Sequence, residues 1–273
     1  RLYGIGASLD VAGSRFAAAL VLLAFFLLSM EQTRFRNWMF FYLLAFVFIA
    51  VVGNMIARTT TVGLLLAIVY LLYKSGFWRL QLSAESLKLW LYLGGVLLLT
   101  IPLCVYLYQQ DAIFRSNLRF AFEGFFSLIE KGEWQVASNE RLQNMYVFPD
   151  NLKTWLIGDG YFSNPYNIDP YFTGRFVGGY YMSTDVGYLR FIFYSGLVGL
   201  AAITAVVWKA CLICRSRFEA QKELFGLFLL VNLLVWFKVS TDIFLIFALF
   251  MMVNQDENDT YNRKISLANE NTL

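Results

Sequence analysis

At 273 residues, with 59% of them apolar, 15% charged and a mean hydropathy of +0.56, the chain has apolar runs too long and charges too few for a water-soluble domain. It contains no histidine, which excludes Ser-His-Asp and Cys-His nucleophilic chemistry and leaves carboxylates, Arg, Lys and Tyr for any catalysis. The net charge of +3 matters less than where Lys and Arg sit relative to the apolar runs, and no nucleic-acid partner is expected.

The segment 1–15, RLYGIGASLDVAGSR, is Gly- and Ser-rich without apolar periodicity and reads as a loop at a membrane surface. The chain begins at Arg1 with neither an initiator Met nor a signal peptide, so a missing upstream part is expected. Residues 16–30 make a short first span, and Arg34 and Arg36 follow it. The second span, 38–57, opens on Trp38, Phe40, Phe41 and Tyr42 and closes on Asn54 and Arg58-Thr-Thr-Thr61. A third span at 62–73 starts so soon after Arg58 that the two form a tight hairpin with Arg58 at the bend. The fourth span, 89–108, contains Pro102, which predicts a kink or the approach to the interface.

A polar stretch from Gln109 to Thr184 then leaves the lipid-like composition. Within it, 111–129 carries Phe114, Leu118, Ala121, Phe122, Phe125 and Phe126 at helical spacing, which predicts an amphipathic interfacial helix. A second helix is expected at 138–148, with Glu140 and Arg141. From Trp155 the loop turns Gly-rich and aromatic. Tyr161 and Tyr181 belong to a set of rings that suits either the faces of sugars or an interfacial aromatic belt. The fifth span is expected at 187–208, followed by a connection holding Lys209, Arg215, Arg217 and Lys222. The run 224–253 is broken by Lys238-Val-Ser-Thr-Asp242, which predicts two short spans meeting at a turn. Residues 254–273 form a polar tail.

The pattern is that of an all-α polytopic membrane protein with about seven transmembrane helices. Four spans lie in 1–108, a large extracytoplasmic loop with short helices in 109–186, three spans in 187–253 and a cytoplasmic tail in 254–273. Loops after spans one, three and five hold nine Lys or Arg, which the positive-inside rule puts in the cytoplasm. Arg58, Arg141 and Lys238 then share the outer face, with Arg1, Arg175 and Arg190 behind them. Guanidinium groups grip phosphate oxygens in a bidentate way and keep their proton, so their convergence would hold a pyrophosphate; taken singly, each more often makes a headgroup contact or snorkels. Cys104, Cys211 and Cys214 lack the partners for a zinc site and read as packing residues.

Several of these pieces, in this order, resemble the O-antigen polymerase and ligase superfamily of bacterial surface-polysaccharide glycosyltransferases. They are RLYGIG at Arg1, Arg58-Thr-Thr-Thr-Val-Gly63, and Asn139-Glu-Arg141 followed by Trp155-Leu-Ile-Gly158-Asp-Gly160. Asp185-Val-Gly-Tyr-Leu, Gly196-Leu-Val-Gly199 and Phe237-Lys238 complete the set. The ligase branch commonly places a functional His in its large loop, so the polymerase branch is favoured, with the ligase as the alternative. The resemblance implies a GT-C-like bundle in the bacterial inner membrane with its large loop periplasmic, and transfer without metal or other cofactor. Its substrates would be undecaprenyl-pyrophosphate-linked glycans, and its partners a chain-length regulator and a flippase. Arg58, Arg141 and Arg1 would stabilise the departing pyrophosphate, assisted by Lys238, Arg175 and Arg190. Glu140, Asp159 or Asp185 would accept the acceptor's proton, although Asp185 equally suits a helix cap. A flippase of lipid-linked sugars or a non-catalytic scaffold are the competing classes.

Overall fold

The computed structural model describes residues 9–28, 38–79, 83–164 and 179–253. Among these the regular structure is helical, with one isolated antiparallel bridge between Ser163 and Tyr180. Four helices are long and apolar enough to cross a membrane: α1 (Leu9–Leu28), α2 (Met39–Ile56), α4 (Ala84–Gln110) and α9 (Gly187–Arg217). Between them lie α3 (Thr60–Lys74) and the shorter α5 (Ala112–Ala121), α6 (Glu123–Lys131), α7 (Ala137–Asn144) and α8 (Leu152–Ile157). The chain closes with α10 (Lys222–Val235) and α11 (Phe244–Met251). This is a helical membrane protein. Along α4, Leu91, Leu98, Leu99, Ile101 and Leu103 are all exposed, an apolar surface that suits lipid and not water.

Helix packing in lipid relies on close backbone approach at small residues. A Cβ on Gly63 of α3 would fall 2.2 Å from the Ala17 Cα of α1, so the two backbones touch at that crossing. Around it Leu20, Val21, Leu43, Ala67, Phe225, Phe228 and Trp236 form the buried centre.

The chain alternates between two ends of the bundle. At one end the α2–α3 bend, the starts of α1 and α9 and the α10–α11 break come together around one cavity. At the other, Lys74 at the end of α3 pairs with Glu223 at the start of α10 (2.7 Å), and Arg217 at the end of α9 donates to the Met251 carbonyl of α11 (2.6 Å). The helix breaks are sealed by side chains, as buried backbone polar groups require. At the α2–α3 bend Asn54 donates to the Ala50 carbonyl and accepts from Thr61. At the α10–α11 break buried Asn232 accepts from the Ile243 amide and the Trp236 indole donates to the Thr241 carbonyl.

Several boundaries differ from the sequence expectation. Residues 9–15 are not loop: α1 begins at Leu9, because Ala12, Gly13 and Ser14 are small enough to let it pack on the α2–α3 bend, and Ser14 returns its hydroxyl to the Val11 carbonyl. The amphipathic helix breaks at Phe122, whose φ of −115° and ψ of 31° separate α5 from α6. The second loop helix ends at Asn144 rather than 148. Helix α9 runs on through Lys209, Arg215 and Arg217, so these belong to a helix and not to a connection. Pro102 lies inside α4, which continues to Gln110. Helices α3, α10 and α11, with 15, 14 and 8 residues, are shorter than a full membrane crossing.

Candidate functional site

The cavity at the polar end measures about 160 Å³, and Arg58, Arg141, Asp185 and Lys238 all line it, joined by Asp10. Each arrives from a different element: Arg58 from the α2–α3 bend, Arg141 from α7, Asp185 from the residue pair preceding α9, Lys238 from the α10–α11 break and Asp10 from the first turn of α1.

Arg58 is largely buried and already engaged. Its Nε donates to the Phe120 carbonyl (2.9 Å), one terminal nitrogen to Ser138 Oγ (2.7 Å) and the other to the Glu123 carboxylate, while the guanidinium lies over the Phe120 ring, 4.2 Å from its centre. It therefore fastens the bend to α5, α6 and α7, and what it offers a ligand is its charge and its remaining N–H groups. Arg141 is exposed and has no hydrogen-bond or ion-pair partner among the described residues. Lys238 Nζ donates to Thr59 Oγ1 (3.4 Å), which donates in turn to Asp10 Oδ1 (2.8 Å), so a buried threonine links cation and carboxylate.

Asp185 does not cap α9. The N-cap is Val186, and its amide is bonded by Thr184 Oγ1 at 3.3 Å. The Asp185 carboxyl instead accepts from Arg190 at 3.4 Å, and Arg190 also donates to Ser240 (2.9 Å) and the Phe162 carbonyl (3.3 Å) while packing between the Phe162 and Tyr180 rings. Burial pushes the Asp185 carboxyl up to about 6. The Arg190 guanidinium pulls against that shift, Asp10 adds to it, and Tyr180 and Lys238 oppose it. Burial likewise pushes the neighbouring Tyr180 phenol up to about 12, so it stays a proton donor at neutral pH.

The other expected residues separate from this group. Glu140 is exposed and lines a neighbouring, larger cleft. Asp159 accepts from Thr154 Oγ1 (2.8 Å) and from the Tyr181 hydroxyl (3.2 Å), and Tyr181 packs at a tilt against Tyr161 with ring centres 5.4 Å apart. Those three residues fold the end of the loop against a break in α9. There Gly196 has φ +65°, and a Cβ on it would lie 2.2 Å from the Leu156 backbone; a Cβ on Gly158, φ +75°, would lie 2.6 Å from the Ser195 amide nitrogen. The Asp159 amide donates to the Phe193 carbonyl (2.7 Å) and the Gly160 amide to the Tyr194 carbonyl (3.1 Å), supplying the freed acceptors of the broken helix. The Gly-Asp-Gly and Gly-Leu-Val-Gly pieces are thus two halves of one backbone clasp. Arg1 and Arg175 lie outside the described residues.

Asp10 was missing from the sequence reading. The available signal was an Asp one residue into an apolar run, where a carboxylate favours a helix start; the small residues after it looked like loop. Among the described residues no set of three or more His, Cys, Asp or Glu side chains is placed to hold a metal ion. What remains is a compact cluster of three cations and two carboxylates at one end of a membrane bundle, one of the carboxyls poised to gain or lose a proton near neutrality. No family model, no curated protein and no solved structure matches the chain.

Proposed function

We propose that this protein is a metal-independent glycosyltransferase of the bacterial cytoplasmic membrane that joins undecaprenyl-pyrophosphate-linked repeat units into a surface polysaccharide. In this reading the short helices α3, α10 and α11 complete further crossings with their flanking residues, giving seven, and the cavity end faces the periplasm. The observation that carries it is the meeting of Arg58, Arg141 and Lys238 with Asp10 and Asp185 around one cavity. Arg141 and Lys238 take the diphosphate of the donor, and Arg58 contributes charge while holding α5–α7 in place. The acceptor hydroxyl attacks the anomeric carbon, the bond from that carbon to the phosphate oxygen breaks, and a glycosidic bond forms. The hydroxyl proton passes to the Asp185 carboxylate and the polyprenyl diphosphate leaves on the cations. A group titrating at about 6 suits that transfer, since it is ionised at pH 7 and still basic enough to accept.

A cavity confined to one end favours transfer over transport, for which charges along a path between both ends would be needed. Complementation of a strain lacking the protein tests the reading. With Asp185→Asn or Lys238→Ala, single repeat units and no ladder are expected on a glycan gel. Loss of even the single units would indicate a flippase, and an unaltered ladder a scaffold.

A further inference from the structure

A second cleft, of about 550 Å³, opens between α5, α6 and α7 beside the transfer cavity, and Arg58 and Phe120 line both. Its volume falls within the roughly 300–1,000 Å³ of sites that take drug-sized ligands, enough for more than one sugar ring. Three cations, Arg58, Arg119 and Lys131, face three carboxylates, Glu123, Glu130 and Glu140, so the formal charges of the walls cancel. Most are already matched: Arg58 with Glu123, and Arg119 with Glu130 through two parallel hydrogen bonds of 2.7 Å. Those bonds hold the Glu130 carboxyl below its ordinary range, so it is an acceptor at neutral pH. Lys131 donates to the Gln135 side chain (3.0 Å).

From these contacts we infer that the cleft binds uncharged sugar residues of the glycan as it leaves or approaches the transfer cavity. The inference rests on the glycosyltransferase reading. With both guanidiniums taken up by Glu123 and Glu130 and Lys131 bonded to Gln135, an anionic sugar would meet the unpartnered Glu140 carboxylate at the rim, and a cationic one would meet Arg58, Arg119 and Lys131. A neutral polyol meets neither repulsion, and its hydroxyls find both kinds of partner: carboxylate lone pairs to donate to, and the N–H groups that paired guanidiniums still have free. Glu140 is exposed with no hydrogen-bond or ion-pair partner among the described residues, and so presents two open acceptor oxygens at the rim. The Phe faces are not the platform, since Arg58 covers Phe120 and both Arg119 and Tyr108 cover Phe126. Recognition is polar, and the open Glu140 carboxylate at the rim sets its sign: hydroxyl donors are accepted and anions refused.

The test uses the full-length protein in lipid nanodiscs on an array of carrier-free bacterial oligosaccharides, with neutral and uronic-acid-containing members matched in length. Neutral members are expected to bind at least about tenfold more tightly than the acidic ones. The exposed pair Glu140→Gln with Gln135→Ala, chosen because neither side chain is packed, is expected to weaken that binding about tenfold or more. Binding to no neutral member, a preference for acidic members, or binding unmoved by the double variant would overturn the inference. Because the array needs no transfer, a failed array beside a ladder sensitive to Asp185→Asn overturns the cleft alone. A positive array beside an insensitive ladder keeps the cleft and overturns the transferase.

Discussion

Asp10, in the first turn of α1, and Asp185, just before α9, line the same cavity, and the Asp10 charge adds to the burial that pushes the Asp185 carboxyl up to about 6. Burial first, with Asp10 adding to it, thus holds the Asp185 carboxyl well above the range of an exposed aspartate.

The first consequence is a pH dependence. As a base Asp185 works only when ionised, so turnover is expected to rise with pH through about 6 and then level. Asp185→Asn removes the acceptor and is expected to lower turnover by about 10²–10⁴-fold, with the acid limb gone. A pH–rate profile of product formation checks both.

Its neighbours should move that limb in opposite directions. Asp10 raises the Asp185 carboxyl and Lys238 lowers it, so Asp10→Asn is expected to shift the limb to lower pH and Lys238→Met to higher pH. The same profile, read on the two variants, would contradict this account if both moved the same way.

Arg58 holds the polar cap. Arg58→Ala removes the bonds to Phe120, Ser138 and Glu123, each worth about 0.5–3 kcal/mol, the Glu123 pair at the low end because that carboxylate is partly exposed. Faster proteolysis within 112–144 and a lower melting midpoint in detergent are the expected outcomes. Arg58→Lys should recover only part of the loss, since an ammonium makes a point contact and cannot reproduce the fork.

At the clasp, Gly196→Ala forces a side chain into left-handed backbone and onto Leu156, where the conformational strain alone costs on the order of 1–3 kcal/mol. A marked fall in thermal stability is expected. Gly94→Ala, which meets nothing within 4 Å in mid-helix, is expected to be neutral or slightly stabilising and serves as the control.

The apolar runs of α2 and α4, the bend at Arg58 and the break at Lys238 were legible in the sequence because each shows as composition: a long lipid-compatible stretch, or a charge where such a stretch tolerates none. That Arg58, Arg141 and Lys238 share one face followed from counting crossings; that they meet Asp185 around one cavity is a finding of the fold. The start of α1 was not legible, since Gly13 and Ser14 suit a loop as well as a close helix crossing, and with α1 misplaced Asp10 was lost. Nor was the division of the loop carboxylates. Asp159 and Glu140 sit in polar segments of similar composition. Only the fold shows that Asp159 is bound to Thr154 and Tyr181 in the clasp while Glu140 faces the larger cleft. Sequence also could not show that Arg58 would be taken up by Glu123 and Ser138, because those partners lie on helices whose docking is decided by tertiary contact.

The central claim is that Arg141 and Lys238 hold the diphosphate of a polyprenyl-linked glycan while a new glycosidic bond forms. It is tested most directly by reconstituting the full-length protein in vesicles with a polyprenyl-diphosphate-linked repeat unit and measuring the polyprenyl diphosphate released together with products longer than one unit. Equal amounts of freed carrier and new linkages are expected from the wild type, and a loss of both by about tenfold or more from Lys238→Ala and from Arg141→Ala. Linkages formed at the wild-type rate by both variants, or no carrier released by the wild type, would contradict it.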